Sequence, residues 1–244
     1  MRLMAGLAAA LCLLLQPASA QPSPALDPYL IVMQQTLRFD PDDVRVAAEA
    51  RRGDAVISMG VAHLRTGVLQ NELRRGRALA SVLPSGVPGF YAGQFATEGG
   101  EPGDMWCFAR NAQNIDAGTR CIVQTSQGWM EAGDPTNPYF AVTAQVYTGA
   151  PVPDPVIEER PIDVHSDLRA EYIFRGWGDE HIDVQLRLAG RPMLAVGVFK
   201  RIQTESDGSA LLQTPFGLLR LERDGSSRSR VRASLIATPA SVSP

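Results

Sequence analysis

HIDVQLRLAG, residues 181–190, decides how the rest of the chain is read. Ile182, Val184, Leu186 and Leu188 alternate with Asp183, Gln185 and Arg187. A period of two sends successive side chains to opposite faces, so this is a strand with one face in a core and one in water. Arg169–Arg175 precedes it through Gly176–Glu180, and Ala189–Pro192 turns the chain into Met193–Ile202. Ser206-Asp207-Gly208 reverses it again, and Asp224-Gly225 opens a hairpin into Arg228–Ile236. Four or five strands with short reversals predict an antiparallel meander over 164–238 and a flexible tail at 239–244. Arg228, Arg230 and Arg232 share one side of the last strand, which suits an exposed edge guarded against pairing.

Upstream of the meander, Gly149–Pro161 carries Pro151, Pro153, Pro155 and Pro161. Such a stretch makes neither a helix nor an internal strand, so residues 149–163 are expected to be a linker or strap between two β units.

The first unit, 27–148, reads as mixed and mainly β. Asp27-Pro28 starts a short helix through Leu37. Asp40-Pro41-Asp42-Asp43 repeats the device, with Arg51 and Arg52 in the last turn and Gly53 as terminator; a strand over Val44–Ala50 is the competing reading. From Asp54 the period becomes two, and both rows of Val56–Leu64 are largely apolar, as in a well-buried strand. Thr66–Ala80 fits helix and strand nearly equally, Ser85–Asp104 is loop-rich around Phe90–Phe95, and Phe140–Thr148 alternates again. The fold class expected is therefore mainly β, an antiparallel sandwich or meander-type sheets, with one or two short helices near the mature N-terminus.

The compartment is read from residues 1–20, MRLMAGLAAALCLLLQPASA. A basic Arg2, an apolar run Leu3–Leu15 and Ala18-Ser19-Ala20 form a cleavable signal peptide, followed by a disordered leader over 21–26. The run is too short to span a bilayer, and no later segment approaches the length required, so no membrane span is expected. Cys12 follows Leu11 inside the apolar run, where a lipidation site needs a small residue. The expected location is periplasmic or secreted.

Export leaves Cys107 and Cys121, in WCFARNAQNIDAGTRC (106–121), as an oxidised pair. The spacing is not C-x-x-C, and no second cysteine or histidine pair completes a zinc site. Asn114–Gly118 lacks the alternating carboxylates of a calcium loop but carries turn residues. Met105–Ala109 and Thr119–Thr125 then become the arms of a surface hairpin closed by a Cys107–Cys121 disulfide.

Beyond Arg2 the chain holds 22 basic and 26 acidic groups, a formal −4 without long runs of either sign, so nucleic acid is excluded as a partner. Lys200 is the single lysine, and the arginines are scattered. No nucleophile elbow, H-E-x-x-H, Walker A loop or dinucleotide fingerprint occurs. His63, within a buried strand, reads as a core or interface histidine. Asp163-Val164-His165 and His181-Ile182-Asp183 put imidazoles beside carboxylates, the material of an acid–base pair. Trp106, Trp129 and Trp177 read as core anchors before saccharide platforms. The leading expectation is an exported, non-catalytic binding or structural-interaction protein, with no cofactor or metal, whose partner is a cell-envelope protein or a saccharide. The alternative is a hydrolase-like enzyme using Asp163, His165, His181 and Asp183.

Overall fold

The computed structural model describes residues 33–74, 81–97, 100–110, 119–132, 148–164, 167–189 and 198–237. The segments expected to be signal peptide and leader, the Asn114–Gly118 turn, His165, most of Phe140–Thr148 and the expected tail lie outside the described residues. A short helix over 33–36 is followed by β1 (Leu37–Val46), β2 (Glu49–Arg51), β3 (Ala55–His63), β4 (Thr66–Leu69), β5 (Leu73–Arg74) and β6 (Ser81–Leu83). Then come β7 (Pro88–Ala96), β8 (Pro102–Ala109), β9 (Thr119–Thr125), β10 (Gly128–Ala132), β11 (Thr148–Pro151) and β12 (Ile157–Glu159). The chain finishes with β13 (Arg169–Trp177), β14 (His181–Ala189), β15 (Val198–Gln203), β16 (Ala210–Thr214), β17 (Gly217–Arg223) and β18 (Arg230–Ala237). The protein is mainly β, built from several antiparallel sheets.

A five-stranded sheet runs β1-β3-β13-β14-β15, and a four-stranded sheet runs β16-β17-β18-β2. The meander is thus divided: its first three strands lie in one sheet and its last three in the other. The switch occurs at Thr204–Ser209, where Gly208 supplies the positive φ of the turn. Tyr172 faces Leu186 and Phe174 faces Val184 in the first sheet, while Leu219 pairs with Leu212 in the second. All six enter one hydrophobic core. That core also takes Val56 and Phe90, so residues from both sides of the Pro-rich segment pack together.

The second expected helix, at Asp40–Gly53, is instead strand. Phe39 pairs with Val61 and Val44 with Met59, so Asp40–Asp43 bulge out opposite Gly60. β1 lies at an edge of its sheet, where a proline in a bulge breaks no ladder bond. The carboxylates that were expected to cap a helix have other partners: Asp43 receives Arg169 and Arg45. Downstream, β2 buries Ala50 and pairs with the start of β18. The arginine-bearing start of β18 is therefore not an open edge, although Arg230 and Arg232 do face water.

A seven-stranded sheet runs β11-β10-β9-β8-β7-β4-β12. It is apolar on both faces. Phe90, Cys107 and Cys121 align across β7, β8 and β9 toward the main core. Trp106, Phe108 and Ile122 face a second core with Leu69, Leu73 and Val87. Cys107 and Cys121 sit directly opposite each other and form a disulfide, with Cα atoms 4.0 Å apart. The bridge is buried, not placed on a surface hairpin.

The Pro-rich segment contributes both edge strands of this sheet. A flat sheet of seven strands would set those edges about 29 Å apart, while Pro151 to Ile157 spans at most about 20 Å when extended. The sheet must therefore coil around the second core, and the segment straps its edges together. Val152 N–H donates to Trp129 O (2.9 Å), and Asn71 clamps the middle by donating to Asp154 O (3.0 Å) and accepting from Val156 N–H (2.7 Å).

Candidate binding groove

An open groove of about 960 Å³ lies over the end of β3. One wall is the β1 bulge, with Phe39, Asp40, Pro41 and Asp43; the other is the strap's continuation, Glu159–Val164, with Asp167 and Leu168. The floor includes Gly60, Ala62 and Leu64. Ala62 is exposed and so is Leu64, at 50%, a large apolar side chain available to a partner.

Two ion pairs fix the walls. Arg169 donates to the Asp43 carboxylate and, through Nε, to Ser58 Oγ at 2.7 Å, tying the bulge to β13 and β3. The Arg169 hydrogen bond holds the Asp43 carboxyl below its usual range. A Cβ on Gly60 would fall 2.7 Å from an Asp43 carboxylate oxygen, so a larger residue here would have to displace the Asp43 side chain. On the other wall, Arg65 donates twice to Glu159, at 2.6 and 3.1 Å. That contact raises the arginine's pKa and lowers the carboxyl's.

The Arg65 guanidinium also lies 4.4 Å from the Tyr91 ring centroid and 5.4 Å from that of Trp106. Tyr91 donates to Asp104 (2.9 Å), and its phenol is pushed up to about 12, chiefly by burial and then by Asp104. Both ion pairs, Asp43–Arg169 and Arg65–Glu159, are partly exposed, so solvent screening leaves each only a small stabilising effect on its own. Their role is positional: they set the groove's width before anything enters.

His63 lines the groove and stacks on buried Phe90, with centroids 4.0 Å apart. Asp163 lines it too and is exposed. His181 Nε2 lies 3.6 Å from Asp183, which also receives Arg201. This second pair is far from Asp163. Arg169 pairs with Ala189 while Trp177 pairs with Ile182, so the groove and His181 occupy opposite ends of the β13–β14 hairpin, about 25 Å apart along the strands. Trp106 and Trp177 are buried, and Trp177 Nε1 donates to Arg230 O (2.9 Å). Among the described residues no group of three or more His, Cys, Asp or Glu side chains could hold a metal ion.

Sequence reasoning did not single out Arg65, Glu159 or Arg169. The partners stand 94 and 126 residues apart, and no local periodicity links them. The one signal present was the Asp40–Asp43 run, whose carboxylates need partners wherever the backbone takes them. No family model, curated protein or solved structure matches this chain.

Proposed function

We propose that the protein is an exported, non-catalytic binding protein of the periplasm or extracellular space, and that the groove over β3 holds its partner. The observation that carries this reading is preorganisation: Asp43–Arg169 and Arg65–Glu159 fix both walls around an apolar floor with exposed Leu64. A site already in its bound shape avoids the ordering cost that weakens flexible surfaces. The basic, apolar and small-residue sequence of Met1–Ala20 and the buried disulfide support export. A hydrolase-like centre would need Asp163 and His181 together, and the separation along the hairpin favours binding over that alternative. A photoreactive amino acid replacing Leu64 in the native compartment tests this reading. One discrete crosslinked partner is expected from position 64 and not from exposed Leu235 on β18. The same smear of products from both positions would refute it.

A further inference from the structure

The outward face of the five-stranded sheet, one end of which carries the groove, is charged along its length, and among the described residues its Lys and Arg side chains are all arginines. Register aligns Arg45, Ser58, Glu171 and Arg187 across β1, β3, β13 and β14. The next row is Ala55, Ile173, Gln185 and Phe199, of which Ile173 and Gln185 are buried and Phe199, at the edge, is exposed; beyond it Asp183 pairs with Arg201. With Arg38, Arg169 and Arg175 included, six arginines share the face with Asp43, Glu171 and Asp183. Every one of those carboxylates already accepts from an arginine: Asp43 from Arg169 and Arg45, Glu171 from Arg187 (2.9 Å), Asp183 from Arg201 (3.1 Å).

Each guanidinium has five N–H donors, so these bonds leave donors unspent. The side chains of Arg45 and Arg201 are 73% and 63% exposed. Arg175 has no carboxylate partner among the described residues and instead lies 5.4 Å from the ring centroid of Phe199. Phe199, on edge strand β15, is 65% exposed, the most exposed large apolar side chain among the described residues.

We propose that the Arg175–Phe199–Arg201 end of this face, away from the groove wall that Asp43 and Arg169 form, is a docking surface for an acidic segment of a protein partner that also carries an apolar side chain. Spare arginine forks match carboxylates bidentately, and Asp43, Glu171 and Asp183 are each already paired with an arginine. Arginine beside an exposed aromatic is the composition of interface centres. An acidic polysaccharide could use the cations but would bring no large apolar side chain to Phe199, so a protein segment fits both the arginines and Phe199.

The test uses the full mature chain and a fluorescein-labelled, glutamate-rich peptide with one central leucine, followed by anisotropy. Binding is expected, and it should weaken as salt rises from about 0.05 to about 0.5 M. Phe199→Ala and Arg201→Glu should each weaken it about tenfold or more, a loss of about 1.4 kcal/mol. Arg232→Glu on the four-stranded sheet and Leu64→Ala in the groove should leave it within about twofold. Phe199→Ala removes an exposed side chain, so its result stands even if Arg201→Glu folds poorly. The proposal is overturned by no binding of the acidic peptide, by equal loss in Arg232→Glu, or by tighter binding of polygalacturonate than of the peptide.

Discussion

The β8–β9 pair and the β13–β14 pair are both antiparallel hairpin arms, yet they are buried in opposite ways. In β8, Met105, Trp106, Cys107 and Phe108 are consecutive and all buried, because one face meets the main core and the other meets the second. In β14, Ile182, Val184, Leu186 and Leu188 are buried on the core side, while the other side is polar, with Asp183 and Arg187 half-buried and Gln185 buried. The difference lies in what covers the second face. A strand between two cores has no polar side to show, so its sequence becomes a run, while a strand whose second face is polar keeps its alternation.

This contrast is sharpest under truncation. Trp106→Ala should cost about 3–5 kcal/mol and its neighbour Met105→Ala about 2–5 kcal/mol, from opposite faces of the same strand. Leu186→Ala should cost about 2–5 kcal/mol. Arg187→Ala should cost about 1 kcal/mol or less, since Arg187 is half-exposed and gives up only its contact with Glu171. Urea unfolding measures all four. If either Met105→Ala or Trp106→Ala proves as mild as Arg187→Ala, β8 does not separate two cores.

The disulfide sharpens the comparison at intermediate size. It closes a loop with a sequence separation of 14 inside the doubly buried sheet. Replacing both cysteines by alanine should cost about 3 kcal/mol in the chain-entropy account. Burial adds a kinetic expectation: a thiol reductant should leave the bridge intact under native conditions and cleave it only as the protein opens. Rapid reduction of fully folded protein, followed by mass spectrometry, would place the bridge at the surface instead.

How much was legible follows from the same physics. The alternation of 181–190 revealed β14 and its neighbours because one face of that strand is polar. The pairing of Cys107 with Cys121 was legible from spacing and compartment, but its burial was not, since nothing local announces a second core. Asp40–Asp43 was misread because a helix N-terminus and a bulge at an edge strand favour the same residues; Gly60 and Arg169, far along the chain, decide between them. Of the groove, Asp163 and His63 were noticed individually. Its walls escaped because each is held by an arginine distant in sequence.

Lys200 offers the finest test of the boundary between the two faces. It pairs with core-facing Val184, so its side chain enters on the core side of β15 while Phe199 and Arg201 point outward. Its ammonium lies 5.9 Å from the ring centroid of buried Tyr172, and burial lowers its pKa to about 8. A base with a depressed folded pKa binds fewer protons folded than unfolded between about pH 8 and its unfolded value near 10.5. Stability contributed through this group is therefore lacking below pH 8 and recovered as pH rises across that window. Tyr91, pushed up to about 12, acts in the opposite sense, favouring the folded state until pH passes from about 10 to about 12. Lys200→Met keeps an apolar stem and removes the charge, so it should stabilise the protein at pH 7 by on the order of 1 kcal/mol, the side chain being partly solvent-screened. It should also abolish the rise between pH 8 and 10 while sparing the fall above it. Unfolding measured at half-unit steps of pH reads both effects. An unchanged rise in the variant would put the ammonium in water, and β15 would then have to present its other face to the core.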